Sequence, residues 1–259
     1  MYDFHQNTQW YFEMQALNAE KSVIPFIEEK LKLTEDMYVL EVGCAEGGVL
    51  RAFLKRGCKG VGVELDAPRL EKAKELNKDM VEAGNVQFIA KNIYDESFET
   101  EFTHKFDLII LKDVIEHIPN QEKIIAQFKK FLKTRGYIFF GFPPFNMPFG
   151  GHQQIALSKI FSKLPYTHVL PMSVYKMLLK LFGEGDVFVE IKETGISTAR
   201  FEKIIQKEGY EFVNSKQFLI NPIYEYKFGI KPIVQFSFIS SLPHLRDFVT
   251  TCSYYLIRV

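Results

Sequence analysis

Short apolar runs alternate with amphipathic stretches over the first 144 residues of the chain. A helix is predicted from about Thr8 to Lys32, and further helices follow Gly47, Asp66 and Asn120, the last of them ending at Gly136. The apolar runs predict five strands, at Tyr38–Val42, Gly60–Glu64, Val86–Ala90, Phe106–Leu111 and Tyr137–Phe142. Strands that alternate with helices in this way are typical of βαβ units on a parallel sheet.

The alternation stops after Phe142. A long segment rich in Phe, Pro, Gly and Met follows, in which Ser173–Phe182 predicts a helix that Gly183 ends. Beyond it the pattern predicts a helix at Ala199–Lys207 and strands at Glu211–Leu219, Val234–Ile239 and Ser253–Val259. We therefore expect an N-terminal helical cap (1–36), a core (37–144), a lid over the substrate (145–195) and C-terminal elements that complete the same sheet (196–259).

Composition narrows the class of protein. With 47% apolar residues the chain has enough material for a sizeable core, and its net charge of zero argues against a broad basic face for nucleic acid. Its three cysteines form no CxxC pair, which suits a reducing compartment. The N-terminus is too polar for a signal peptide, and no apolar run is long enough to span a bilayer. The expectation is a cytoplasmic protein with no membrane span.

The most informative segment is VLEVGCAEGG (39–48), where a strand runs into small residues and then into a helix. Gly43, Ala45 and Gly47 allow a tight turn and a close approach to a ligand. The spacing partly matches the dinucleotide fingerprint, but its second glycine is Ala45 here. Glu41 would also repel a pyrophosphate. The loop therefore favours a ligand that carries a positive amino group.

Two later strand ends offer further ligand contacts. Glu64 follows the second strand, about twenty positions after Gly43, where an acidic side chain accepts both hydroxyls of a ribose. Asn92 follows the third strand and offers both a donor and an acceptor for adenine, with Ile93 against the ring face. A loop asparagine is also a common turn residue, so both roles stay open for Asn92.

Together these segments resemble the class I S-adenosylmethionine-dependent methyltransferases, in the branch of the ubiquinone-biosynthesis O-methyltransferases and similar uncharacterised bacterial enzymes. The matching segments are LEVGCAEGG (40–48), GVELD (62–66), VQFIAKNI (86–93), FDLIILKDVIEHI (106–118) and GYIFFGFPP (136–144). The resemblance implies a Rossmann-like, seven-stranded, mostly parallel α/β sheet with helices on both faces. Its antiparallel last strand would be Ser253–Val259.

The resemblance also implies a cofactor site. Glu41 and the Gly43–Gly47 backbone would hold the methionine portion, Glu64 the ribose, and the backbone near Lys112 the amino group. The full expected set is Tyr11, Glu41, Gly43, Cys44, Ala45, Gly47, Glu64, Leu65, Asn92, Ile93 and Lys112. The sequence departs from the family pattern at Ala45, which replaces a glycine, and at Asn92, which replaces an aspartate.

Histidines mark the expected acceptor side, because imidazole titrates near neutrality and can remove a proton. His117 follows the fourth strand and His152 follows Gly150-Gly151, which we expect to act as a flexible hinge. Either histidine is a candidate base or only a loop residue held by a hydrogen bond. Phe145, Tyr166 and His168 are candidate substrate contacts. The histidine spacing matches no compact metal motif, so no metal is expected.

The sequence thus predicts an S-adenosylmethionine-dependent methyltransferase that yields S-adenosylhomocysteine and acts on a small molecule, with oxygen as the expected acceptor atom. Two alternatives remain. One is an NAD-dependent oxidoreductase, which Glu41 and Ala45 oppose. The other is a cofactor-binding module without catalysis, which the aromatic segment after Phe142 opposes.

Overall fold

The computed structural model describes residues 7–243 and 245–259, so the first six residues of the predicted N-terminal cap lie outside the described part. The predicted first helix is confirmed: α1 (Thr8–Asn18), a π-helical turn (Ala19–Val23) and α2 (Ile24–Glu28) follow one another without a break. Asn7 caps the segment, because its side chain accepts a hydrogen bond from the backbone N–H of Trp10 at 3.0 Å.

Strands and helices then alternate as predicted. The core elements are β1 (Tyr38–Val42), α3 (Gly48–Leu54), β2 (Lys59–Val63), α4 (Ala67–Leu76), α5 (Lys78–Glu82), β3 (Val86–Ile89), α6 (Glu96–Phe102), β4 (Phe106–Lys112), α7 (Gln121–Phe131) and β5 (Leu132–Phe142). The later elements are α8 (Met172–Phe182), α9 (Val187–Thr194), α10 (Thr198–Lys207), β6 (Glu211–Ile220), α11 (Tyr224–Phe228), β7 (Ile233–Val234), α12 (Ser237–Ser240) and β8 (Cys252–Arg258). Asp66 caps α4 as expected, because its side chain accepts from Arg69 N at 3.1 Å.

The sheet has the order β3-β2-β1-β4-β5-β8-β6-β7. The first five strands are parallel, and β8 lies antiparallel between β5 and β6, which confirms the predicted antiparallel last strand. Within the described residues the sheet has eight strands rather than seven, because the short β7 adds an edge pair to β6. Since β6 is antiparallel to β8, its carboxyl end lies at the same edge as that of β5.

Helices cover both faces, as the sequence predicts. On one face the sheet packs against α6, α7 and α10 through a phenylalanine-rich core, and on the other against the π-helical turn, α2, α3 and α4. Each strand in the middle of the sheet is buried on both sides, which explains why these strands read as continuous apolar runs. Within the described residues, no helix is long and apolar enough to cross a membrane.

Two predicted boundaries are wrong. The helix after Asn120 ends at Phe131, not at Gly136, because the backbone N–H groups of His104 and Lys105 donate to the last carbonyls, those of Lys130 and Phe131. The residues that follow then extend as the first part of β5. Asn120 occupies the N-cap position, but its side chain forms no capping hydrogen bond.

The strand predicted at Val234–Ile239 is also wrong beyond its first residue. Gln235 is buried, and its side chain donates to Val249 O at 3.0 Å and accepts from Phe236 N at 3.0 Å. Local bonds of this kind compete with the strand ladder. The chain turns there into α12.

Residues 143–195 form the predicted insert at the carboxyl edge of the sheet. Short 3₁₀ turns precede α8 and α9, and α8 ends at Gly183 as predicted. The insert has a small apolar core of its own, consisting of Ala156, Phe161, Tyr175, Leu179, Phe188 and Ile191.

Candidate functional site

A cavity of about 600 Å³ lies at the carboxyl ends of β1, β2 and β4, where open α/β sheets bind their ligands. Its size is within the range of small-molecule sites. Most of the expected cofactor residues line it, namely Tyr11, Glu41, Gly43, Cys44, Ala45, Glu64, Leu65, Asn92, Ile93 and Lys112. Gly47 does not line the cavity and instead occupies the N-cap position of α3.

The loop after β1 turns as tightly as the sequence predicts. Gly43 has a φ of +66°, and a Cβ atom there would lie 2.7 Å from the Val114 side chain. The backbone N–H groups of Gly43 and Cys44 both donate to Val63 O, at 2.8 and 3.0 Å. Ala45 also adopts a positive φ, of 50°, at the position where the family has glycine.

Glu41 is the buried acid at the base of this loop. Its side chain is almost fully buried, and Oε2 accepts from the backbone N–H of Leu50 at 2.9 Å. Because Gly47 has no side chain to cap α3, Glu41 satisfies one of the free N–H groups at the start of that helix. Burial raises the pKa of Glu41 to about 8, with nearby Glu64 acting in the same direction and the Leu50 hydrogen bond opposing it.

Glu64 closes the opposite side of the loop. Its carboxylate accepts from Ala45 N at 3.0 Å, from Leu65 N at 2.8 Å and from Asp66 N at 3.1 Å. Two carboxylates, those of Glu41 and Glu64, thus line the same part of the cavity. An ionised carboxylate here opposes a diphosphate and favours a cationic ligand that carries hydroxyl groups, and such a ligand in turn favours the ionised form of Glu41.

An ion pair forms the wall at the end of β4. Nζ of Lys112 donates to Asp113 Oδ2 at 2.5 Å, and the lysine side chain is almost fully buried. Burial by itself lowers the pKa of Lys112, whereas the Asp113 carboxylate raises it, and the net shift is upward. Asp113 has a φ of 58°, and its backbone N–H donates to Gly141 O at 2.7 Å. The charges of this wall are therefore held in a fixed position.

The structure places Asn92 both at the cavity wall and in a local turn. It lines the cavity, and its Oδ1 accepts from Tyr94 N at 3.0 Å in a local turn. The Ile93 side chain is buried, and its carbonyl accepts from Gln127 at 2.8 Å. Tyr94 also lines the cavity, with Nζ of Lys123 4.5 Å from its ring centroid. Sequence reasoning missed this aromatic residue two positions after Asn92.

The N-terminal helix covers the cavity from outside the sheet. Tyr11, Phe12 and Gln15 all line it, and Gln15 Nε2 donates to the Tyr11 hydroxyl at 2.8 Å. Among the described residues, Oε1 of Gln15 has no hydrogen-bond partner although it is buried. A buried acceptor facing the cavity fits a ligand that donates a hydrogen bond. The hydrophobic pattern of the sequence did not identify Gln15 as a ligand contact, since this residue lies between apolar positions of a helix.

His117 and His152 come together beside this cavity although 35 positions separate them. Their ring centroids lie 4.9 Å apart, with an interplanar angle of 79°. His117 lines the cavity, whereas His152 lies behind it. Partial burial lowers the pKa of the half-exposed His117 ring, and burial lowers that of His152 to about 4, so both rings are neutral at pH 7. The structure thus places His117, rather than His152, nearer to the expected cofactor.

A buried carboxylate completes this histidine cluster. Glu116 lies next to the two rings, with Oε1 3.9 Å from His117 Nε2, and neither of its carboxylate oxygens has a hydrogen-bond partner among the described residues. Burial, with Asp113 adding to it, raises the pKa of Glu116 to about 8. One donor atom from each of Glu116, His117 and His152 lies within 4.8 Å of the others. Side chains of these types can hold a divalent metal, which the sequence spacing did not predict.

The remaining expected substrate contacts hold the insert together. His168 is fully buried, with Nε2 2.6 Å from Phe145 O and Nδ1 2.8 Å from Gln153 Nε2. The Phe145 ring packs against it, with centroids 4.9 Å apart. The Tyr166 hydroxyl donates to Phe248 O at 2.9 Å. The structure therefore makes His168 a structural residue rather than a substrate contact, and neither Phe145 nor Tyr166 lines the cavity.

The pair Gly150-Gly151 is close-packed rather than a flexible hinge. A Cβ atom on Gly151 would lie 2.3 Å from Cβ of His168, and one on Gly150 would lie 2.0 Å from Phe145 O. The two glycines let the segment that carries His152 pack against the buried His168. The prediction of a hinge at this point is wrong, because both residues are buried.

Comparison with known proteins places this chain in a family. A family model described as a methyltransferase domain matches residues 15–161, more than half of the chain. The chain is 26% identical over 114 residues to a ubiquinone biosynthesis O-methyltransferase of Leptothrix cholodnii, covering 44% of this chain and 47% of that protein. It is 30% identical over 126 residues to a sterol 4-C-methyltransferase of Caenorhabditis elegans, covering 48% and 37%. The chain thus spans about half the length, or less, of these curated relatives.

Solved structures share the fold. A geranyl diphosphate C-methyltransferase from Streptomyces coelicolor, solved with S-adenosyl-L-homocysteine, superposes with a TM-score of 0.58 at 12% identity, over 92% of this chain and 79% of that one. A possible histamine N-methyltransferase from Thermotoga maritima gives 0.56 at 13% identity, over 99% and 96%. At such identities the likeness concerns the fold alone.

Proposed function

The chain belongs to the methyltransferase-domain family, in the class I group that uses S-adenosylmethionine, and on that premise we propose that it methylates an oxygen atom of a small molecule. One observation carries the proposal: a cavity lined by two carboxylates lies at the carboxyl edge of the sheet, next to a neutral histidine. The expected residues of the cofactor half surround this cavity, and the proton acceptor lies on its wall.

The residues present fit S-adenosylmethionine. Glu41 and the loop from Gly43 to Ala45 would hold the cationic methionine portion, and Glu64 would accept hydrogen bonds from the ribose hydroxyls. Asn92 and Ile93 would flank the adenine. The Glu64 carboxylate opposes the diphosphate of NAD, and Glu41 ionises beside a cation rather than beside phosphates, which favours the methyl donor over the oxidoreductase alternative.

The chain's own part in methyl transfer is to align the acceptor, exclude water and hold a proton. When bound, S-adenosylmethionine supplies an electrophilic methyl group on its sulfonium. His117, neutral at the cavity wall, would accept the proton that an attacking hydroxyl group loses. His152 packs against His117 and would set the orientation of its ring. A histidine at this wall that could accept a proton favours catalysis over a module that only binds the cofactor.

The carboxylate of Glu116, buried without a hydrogen-bond partner among the described residues, favours a second role for the histidine cluster. With His117 and His152 it would bind a divalent cation, which would polarise an acceptor hydroxyl group. Prior treatment with EDTA separates the two roles. A proton-accepting histidine keeps its activity after chelation, whereas a metal-assisted reaction loses activity and recovers it with added Mg²⁺ or Zn²⁺.

A methyl-transfer assay on phenols, alcohols and amines tests the function. The protein is incubated with S-adenosylmethionine carrying a ¹³C-labelled methyl group, and the products are analysed by mass spectrometry and NMR. We expect a methyl signal at the chemical shift of an O–CH₃ group, with S-adenosylhomocysteine formed in equal amount. An N–CH₃ or C–CH₃ product would contradict the choice of oxygen but keep the methyltransferase. If S-adenosylhomocysteine forms with none of these acceptors, the proposed small-molecule activity is contradicted.

A further inference from the structure

Large apolar side chains lie on the surface in the two segments that follow β5 and β6. Leu157 is 86% exposed and Phe238 is 68% exposed, and many of their neighbours are also exposed. The other strongly exposed members are Ile160, Met177, Leu181, Phe236 and Leu245. Single exposed apolar residues are ordinary, but a set of this size marks an interaction surface. We call residues 155–182, 228–243 and 245–249 the apolar-basic surface.

The two segments lie next to each other. Phe142 at the end of β5 pairs with Ser253, and Phe218 near the end of β6 pairs with Cys252, so both segments leave the sheet at one place. The Tyr166 hydroxyl then joins them, since it donates to Phe248 O and the two rings lie 6.1 Å apart. The insert is therefore in contact with the end of the segment that follows β6.

Positive side chains outnumber negative ones on this surface, although the net charge of the whole chain is zero. No aspartate or glutamate occurs from residue 123 to 183 or from 226 to 246. The exposed lysines are Lys159, Lys163, Lys176, Lys180 and Lys231. Glu184 borders the surface, and the backbone N–H groups of Leu157 and Ser158 donate to its carboxylate. The region therefore combines apolar side chains with an excess of positive charge.

Helix α8 shows how the two features combine. Its inner side buries Tyr175 and Leu179 in the core of the insert. Its outer side exposes Met177 and Leu181 beside Lys176 and Lys180. Lysines beside exposed apolar residues are typical of helices that lie in a lipid interface, because the apolar groups enter the acyl boundary and the ammonium groups reach the phosphates.

We propose that the apolar-basic surface docks the protein peripherally on a bilayer of anionic lipids. The charge favours this occupant over a second copy of the chain, because a two-fold contact through the same surface would bring lysines against lysines. Anionic lipid headgroups attract these lysines, and the bilayer accepts the leucine and phenylalanine side chains. The proposal does not rest on methyl transfer, since docking requires neither donor nor acceptor.

Vesicle sedimentation of the full chain tests the contribution of the lysines to docking. We expect binding to vesicles of phosphatidylcholine with phosphatidylglycerol, and weak binding to phosphatidylcholine alone. The variant with Lys176→Glu and Lys180→Glu should lower the partition coefficient at least about twenty-five-fold, from roughly fivefold for each lysine lost at an anionic surface. The control with Lys30→Glu and Lys32→Glu changes the net charge equally, on exposed residues before β1, and should bind like the wild type. Equal losses in both variants would overturn the proposal.

A second variant, Leu157→Ser with Leu181→Ser, tests the contribution of the apolar side chains to docking. Both side chains are exposed, so the fold should be kept, which an unchanged Tm verifies. We expect about a tenfold loss of vesicle binding, or more, as two leucines no longer enter the lipid. Vesicle binding at wild-type strength would overturn the proposal. A different outcome is that the wild type binds neither kind of vesicle and the leucine variant changes only the oligomeric state, measured by light scattering. The surface would then be a contact with a second copy of the chain, and the proposal would be overturned.

Discussion

Replacing Glu41 by glutamine tests the electrostatics of the cofactor cavity. Glu41 lies beneath the glycine loop, and burial raises its pKa to about 8. At pH 7 about nine in ten molecules therefore carry this group protonated, on the ordinary titration curve. A cationic ligand that binds beside it favours the carboxylate, so binding should release the proton.

The size of the effect follows from that pKa. If Glu41 is fully ionised in the complex, about 0.9 proton should be released per S-adenosylmethionine bound at pH 7, and the affinity should rise about tenfold between pH 7 and pH 9. The variant Glu41→Gln keeps an oxygen that can accept from Leu50 N–H but cannot ionise. It should bind more weakly and release no proton from this site.

Titration calorimetry in two buffers of different ionisation enthalpy, such as phosphate and Tris at pH 7, measures the proton directly. The apparent binding enthalpy of the wild type should differ between the buffers by about 0.9 times the difference of their ionisation enthalpies, and that of Glu41→Gln should lack this contribution. The variant also corrects for titration of the ligand's own amino group. Equal enthalpies for the wild type, or equal proton release by the variant, would refute the reasoning.

Three further changes test other parts of the structure. Burial lowers the pKa of His168 to about 4 from 6.5, so the unfolded state binds more protons between these values. Stability should therefore fall as the pH drops through this window, by up to about 3 kcal/mol, and urea unfolding should show a shallower fall for His168→Gln. Gly43→Ala should destabilise by about 1–2 kcal/mol or more, because a left-handed φ and a 2.7 Å contact oppose a Cβ there; an unchanged Tm would contradict this. His117→Gln should lower kcat about a hundredfold or more while leaving donor binding unchanged, and His152→Gln should cost less; the reverse order would make His152 the base.

The sheet could be predicted because its signals are local. The run Tyr38–Val42 is apolar except for Glu41, and the observed β1 has the same bounds. The loop that follows was predicted by residue type, and Gly43 has the positive φ that its role requires. The end of α7 was predicted wrongly at Gly136. Hydrogen bonds from His104 and Lys105, about 26 positions earlier in the chain, end that helix instead.

The acceptor side could be predicted only in part because long-range packing decides it. Nothing near His168 in the sequence indicates that Gln153 and the Phe145 carbonyl take both of its ring nitrogens. Nor does the pattern show that His117 and His152 meet, since two separate loops bring them together. Sequence spacing finds ligand sets on one element, whereas this cluster is assembled from two.

A thermal-shift panel tests the central claim, that this cavity holds the methyl donor. S-adenosylmethionine, S-adenosylhomocysteine, NAD and NADP are each added to the full chain under the same conditions. We predict stabilisation by the two adenosyl ligands alone, worth about 2.7 kcal/mol at a hundred times the Kd, and loss of most of it in Glu64→Ala. Stabilisation by NAD or NADP with no response to either adenosyl ligand would contradict the account.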